Sequence, residues 1–133
     1  MNEQQRQTFD RLVDEVIEHL PDGVRALVEE VPIIVLDRPT PAMARSLGMT
    51  EKEARELCGL HSGIAMTERS VEHSGILPTD IHLFREGIVD LAGGWEADDA
   101  ENHIYEEIRI TVLHELGHHY GLDEDDLEDL GYD

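Results

Sequence analysis

The sequence predicts an α+β protein on three observations. An amphipathic helical pattern stands near the amino end and a long helical pattern near the carboxyl end, with runs rich in Val, Ile and Leu between them. The 133 residues fit one domain, 1–133, with no internal repeat and no Pro- or Ser-rich linker to divide it. Aromatic residues make up only 5% of the chain, so aliphatic side chains must fill the core.

Glu3 to Leu20 read as the first helix. Phe9, Leu12, Val13, Val16, Ile17 and Leu20 recur at three- and four-residue steps, and Pro21-Asp22-Gly23 ends the pattern. A shorter helical piece follows from Gly23 to Glu30. Val31-Pro32-Ile33-Ile34-Val35-Leu36 is an apolar run closed by Asp37-Arg38-Pro39, and it suits a buried strand. Thr50-Glu51-Lys52-Glu53 has the form of a capping box, in which the hydroxyl and the carboxylate each accept from a backbone N–H. It opens a short helix through Leu57.

In the middle, Gly63 to Val71 and Ile81 to Leu91 read as strands, the second interrupted at Glu86-Gly87. A polar loop with Ser74-Gly75 and Pro78-Thr79-Asp80 separates them. Alternation puts Ile81 and Leu83 on one face of the second strand, His82 and Phe84 on the other. Gly93-Gly94 then breaks the chain before the longest helical signal, Asp98 to Tyr120. Acids crowd its first turn, where the helix dipole favours them. Ile104, Tyr105, Ile108, Val112, Leu113, Leu116 and Tyr120 form its apolar face. Glu124 to Leu130 reads as a last short helix ending at Gly131.

The formal net charge is −21, from 31 acidic and 10 basic residues. Such a field repels phosphate backbones and anionic lipid. It argues for no nucleic acid and no membrane among the partners, and it favours cations and basic peptides. The plain alternative is that most of this charge serves solubility. No apolar stretch approaches the roughly 18 residues of a spanning helix, and the polar start from Met1 to Arg11 has no apolar h-region. Cys58 is the single cysteine, so no intramolecular disulfide can form. A cytoplasmic location is expected; the oligomeric state cannot be read.

The chemistry is carried by His114-Glu115-Leu116-Gly117-His118-His119-Tyr120-Gly121-Leu122-Asp123. Histidines at i and i+4 project from one side of a helix about one turn apart, so both imidazoles reach one ion. At about 100° per residue the pair lies roughly opposite the Ile108/Val112/Leu116 stripe, and burial of the stripe turns the histidines toward a cleft. Glu115, about a quarter-turn round, is near enough to touch a water on the ion without ligating it. Two histidines and one carboxylate leave a fourth tetrahedral position for water, which marks a catalytic rather than a structural zinc site. Asp123 can supply the carboxylate only if the helix stops, because continued helix would place it roughly 140° from His118. Gly121 can take positive φ without steric cost, end the helix and turn the chain back. The expected metal ligands are therefore His114, His118 and Asp123, with zinc as the ion and Glu115 as catalytic base.

With 8 histidines and 18 glutamates, chance places His-Glu-x-x-His in such a chain about one time in sixteen. Adding the glycine and the following His or Asp at their spacing lowers that below about one in a thousand. Plainer readings stand beside these. His114 and His118 can be solvent-facing helix residues, and Asp123, in the acidic run Asp123-Glu124-Asp125-Asp126, can cap the next helix. Glu107, seven positions before His114, is either an outer partner of a ligand histidine or a solvated glutamate. His119 points by helical phase toward the apolar stripe and reads as a packed residue. His61, His73, His82 and His103 carry no ligand spacing, and Cys58 reads as a small apolar residue.

The extended motif resembles the zinc signature of metzincin peptidases, in the form with Asp in place of the third His. The whole chain resembles a family of short bacterial zincin-like metallopeptidases, over Val31 to Asp37, Gly59 to Arg69, Leu77 to Arg85 and Arg109 to Tyr132. The resemblance implies a minimal zincin-like fold, with a small mixed sheet packed on a long active-site helix and an edge strand lining the cleft. One departure matters. Metzincins follow the third ligand with a turn whose methionine underlies the metal, whereas ten residues follow Asp123 here and none is Met. The floor of the site must be built otherwise.

The expected function is that of a zinc-dependent hydrolase that cleaves peptide bonds. Glu115 accepts a proton from the attacking water and returns it to the leaving amine. A peptide or protein substrate would lie extended along an edge strand, with Gly63 to Arg69 as the candidate. Tyr132 is the best remaining hydrogen-bond donor for the tetrahedral oxyanion, although packing of the chain end explains a tyrosine there equally well. The rival is a catalytically weak or inactive metal-binding module acting through partner binding. The missing methionine favours it and the intact Glu115 opposes it. Amide hydrolysis of a small molecule would use the same residues within a closed pocket.

Overall fold

The computed structural model describes residues 1–61, 80–121 and 125–126. Helix α1, Glu3–Glu18, begins at a capping box that engages two backbone N–H groups. The Asn2 side chain accepts from the Gln5 N–H at 2.8 Å, and the Gln5 side chain accepts from the Asn2 N–H at 3.0 Å. Phe9, Leu12, Val13 and Val16 are buried on its inner face, as their spacing requires. Pro21 precedes α2, Asp22–Glu29, which adds Val24 and Val28 to the same core.

Among the described residues three strands form one sheet: β1, Ile33–Leu36; β2, Gly59–His61; and β3, Ile81–Phe84, in the order β1-β3-β2. β3 pairs parallel with β1, Ile33 opposite Ile81, and antiparallel with β2, Gly59 opposite Leu83. The sheet is thus small and mixed, and the α+β class holds. All four residues of the central strand are buried. Ile81 and Leu83 enter the main core, while His82 stacks on Phe84 with ring centres 6.1 Å apart. β1 corrects the expectation of a buried strand. It lies on the outside of the described sheet, and Ile34 is 36% exposed. The strand expected from Gly63 to Val71 and the loop after it lie outside the described residues.

Between β1 and β2 stand two short helices. Thr40 caps α3, Pro41–Ser46, by accepting from the Met43 N–H at 3.2 Å, and proline occupies the first turn. α4, Glu51–Glu56, opens on the expected capping box of Thr50 and Glu53. The expectation of one long strand from Ile81 to Leu91 is corrected: after Phe84 the chain turns into helix α5, Arg85–Ala92. The reason is tertiary. Gly87 lies so close to the Leu57 backbone that a Cβ there would collide with its carbonyl, and Ile88 and Val89 are buried in the helical arrangement. That packing overrides the weak strand preference of Ile88 and Val89. Gly93, at φ 106°, ends the helix.

The longest element is α6, Ala100–Tyr120, which packs on α1, α5 and the sheet. Ile104, Ile108, Val112, Leu113 and Leu116 are buried along it, and so are Thr111, Glu115 and Gly117. A charged clamp fastens the other elements together beside it. Arg85 holds Asp10 of α1 through two bonds at 3.0 and 2.9 Å and Asp37 through one at 3.0 Å. Arg6 grips the same Asp37 at 2.8 Å. Of the expected helix from Glu124 to Leu130, residues 125 and 126 are described and are helical. No helix among the described residues is long and apolar enough to cross a membrane.

Candidate metal centre

Burial of Ile108, Val112 and Leu116 fixes the rotation of α6, and that rotation leaves His114 and His118 exposed. The two imidazole rings stand one turn apart, with centres separated by 4.2 Å and planes inclined by 60°. Glu115 faces inward between them and is only 7% exposed. One ligand atom from each of His114, Glu115 and His118 falls within 4.8 Å of the others. The structure thus brings together three of the five residues singled out in the sequence.

Glu115 is covered by β2. A Cβ built on Gly59 would meet Thr111 Cγ2 at 2.7 Å and Glu115 Cγ at 3.1 Å, so the strand lies directly on this turn of the helix. Thr111 turns its hydroxyl the other way, donating to the Glu107 carbonyl oxygen at 2.7 Å, which leaves its methyl toward the strand. Next to Gly59, Cys58 is half-buried. Burial pushes its thiol pKa up, and the carboxylates of Glu107, Asp90 and Glu115 push it further. The thiol is therefore held in its neutral form, as a small apolar residue would require.

At its far end α6 stops where the glycine argument expects. Gly121 takes φ 65° and ψ 31°, the left-handed region, and its N–H turns back to the Gly117 and His118 carbonyls. Tyr120 anchors this end, its hydroxyl donating to the Leu27 carbonyl oxygen at 3.2 Å. Asp123 and Tyr132 lie outside the described residues.

His119 is half-buried, edge-on to the Tyr120 ring at 4.7 Å, and burial lowers its pKa. It is packed, as its phase predicts, and is not one of the metal-binding group. His82 is buried in β3, and its pKa is lowered by burial, with Asp80 opposing. His103 is exposed on α6, Glu107 is half-buried, and neither joins the group. The His61 side chain and His73 lie outside the described residues. Sequence reasoning missed Gly59 and Thr111, which set the distance between strand and helix. The start of the recognisable stretch at Gly59 was the available signal.

The donor set fits a zinc ion. Imidazole nitrogens are among its usual ligands at about 2.0–2.1 Å, and a cluster of this compass leaves room for a hydrogen-bonded water between such an ion and the Glu115 carboxylate. A family model described as zincin-like metallopeptidase matches residues 28–132, from the end of α2 through the whole helix. No curated protein matches the chain.

Proposed function

The chain belongs to the zincin-like metallopeptidases, and from that premise we propose that it is a zinc-dependent peptidase with His114, His118 and Asp123 as ligands and Glu115 as base. The observation that carries the reading is the burial of Glu115. A carboxylate held 7% exposed under β2, with an oxygen within 4.8 Å of the ligand nitrogens of two exposed imidazoles, is placed to act on a water at a bound ion, and a site that only holds a metal has no use for such a base. This favours hydrolysis over a binding module that keeps the metal without the chemistry.

A zinc ion held by these residues supplies Lewis acidity to a carbonyl oxygen and makes water acidic near neutrality. The rest is done by the chain. His114 and His118 present their nitrogens on the open side of α6, fixed by the buried stripe behind them. Glu115 accepts a proton as the water oxygen attacks the peptide carbon, and it gives that proton to the nitrogen as the C–N bond breaks. Gly121 turns the chain so that Asp123 can come back toward the histidines. Tyr132 donates a hydrogen bond to the oxyanion formed during attack.

The substrate is a peptide, aligned by backbone hydrogen bonds along an edge strand, with Gly63 to Arg69 as the candidate segment. Contact of Gly59 with the Glu115 turn supports this alignment. Basic peptides suit the net charge of −21, nucleic acid and membrane surfaces do not, and a lone cysteine suits the cytoplasm. A peptide-library digest comparing the wild type with Glu115→Gln tests the proposal. Cleavage by the wild type and none by the variant, at equal zinc content, is the expected result. Equal cleavage by both would refute the role of Glu115.

A further inference from the structure

Away from the histidine pair, a cavity of about 510 Å3 opens between α3, α4 and the turn after β1. Three arginines line it: Arg38 from the turn, Arg45 from α3 and Arg55 from α4, with Pro39, Pro41 and Ala54 as apolar walls. The chain holds 31 acids and 10 bases, so an arbitrary patch of its surface is negative. Convergence of three of those ten cations on one hollow outweighs the acids beside them, which among the described residues are Glu51 on the lining and Glu86 paired with Arg38.

Two of the guanidinium groups are lightly engaged. Arg38 pairs with Glu86 at 3.0 Å and Arg55 with Glu51 at 2.8 Å, and all but Glu86 are well exposed. Solvent-exposed pairs of this kind are weak and exchange partners readily. The Arg45 guanidinium makes no ion pair or hydrogen bond among the described residues. A free cationic fork facing a hollow of small-molecule size, with two exchangeable forks beside it, matches the planar, bidentate geometry of a carboxylate or phosphate.

We propose that this cavity binds a small dianion with an apolar body, a phosphomonoester or a dicarboxylate, clasped by Arg45 together with Arg38 and Arg55. The apolar body rests on Pro39, Pro41 and Ala54, and a dianion engages Arg45 while exchanging with Glu86 or Glu51 for a second guanidinium, which a monoanion does less well. The site is separate from the histidine pair and does not depend on the peptidase reading.

The test is calorimetric titration of the full chain with phenyl phosphate and with phthalate, at constant ionic strength balanced with chloride. Saturable binding of at least one probe is expected, weakened tenfold or more in Arg45→Ala and also weakened in Arg55→Ala. Arg11→Ala, at an arginine on the outer side of α1, should leave it unchanged, as should His114→Ala. Which probe binds distinguishes the phosphate source from the carboxylate source. If neither binds saturably, or if Arg45→Ala binds as tightly as the wild type, the proposal fails. Loss of binding in His114→Ala with none in Arg45→Ala would assign the anion to the metal centre and overturn it equally.

Discussion

A Cβ on Gly59 would stand 3.1 Å from Cγ of Glu115. β2 therefore rests on the one turn of α6 that carries the buried carboxylate, and only a residue without a side chain allows so close an approach. The same added carbon would come within 2.7 Å of Thr111 Cγ2, tighter than real side-chain contacts tolerate. Gly59 and Thr111 together set the spacing between strand and helix, and so the depth at which Glu115 sits.

Gly59→Ala should destabilise the fold by about 1–3 kcal/mol, the usual cost of overpacking. Thr111→Ser in the same chain should recover part of that loss, because it removes Cγ2 and keeps the hydroxyl bond to the Glu107 carbonyl oxygen. Urea unfolding of the two single variants and the double variant measures the coupling. Simple additivity of the two changes would contradict the contact.

The contrast between Gly59 and Gly121 shows what the sequence could disclose. Gly121 is legible because its role is local: a helix must stop before Asp123, and glycine stops it in the left-handed conformation. The exposed face of His114 and His118 is legible for the same reason, since it follows from the phase of a long buried stripe. Gly59 and Gly87 act instead on distant backbone and side chains, and nothing in their neighbours announces Thr111 or Leu57. Ile88 and Val89 even suggest the wrong element, because strand preference is weak against a glycine-lined helix contact. β2, three residues long, is too short to show any period. Thr40-Pro41 is different: a capping hydroxyl followed by proline is a helix start that can be read directly.

The charged clamp predicts acid sensitivity of a definite sign. The hydrogen bond from Arg6, aided by Arg85, holds the Asp37 pKa below its ordinary 3.8 against the opposing effect of burial. A carboxyl with a depressed folded pKa binds fewer protons folded than unfolded, so its stabilisation is complete above 3.8 and fades as pH falls through the folded value. The stability difference between wild type and Asp37→Asn should be constant near neutrality and narrow below pH 3.8. Urea unfolding across that range measures it, and a gap that stays constant into acid would contradict the linkage.

Asp123 can be separated from its capping alternative by two substitutions. Serine caps a helix nearly as well as aspartate but offers zinc no carboxylate. Asp123→Ser and Asp123→Ala should both bind zinc at least tenfold more weakly in a competition titration, a loss of about 1.4 kcal/mol or more. Full affinity in the serine variant would make Asp123 a cap.

Tyr132→Phe should lower turnover about tenfold, or 1.4 kcal/mol at the transition state, while sparing zinc content and melting temperature. The phenol would be lost and the ring kept. Unchanged turnover would leave the oxyanion without this donor.

The most direct measurement is the zinc content of the purified wild type beside His114→Ala and His118→Ala. Both histidines are exposed, so either replacement should spare the fold, which circular dichroism checks. The account predicts about one zinc per chain in the wild type and loss of it in each variant. Zinc undiminished in either one would contradict the metal centre on which the rest is built.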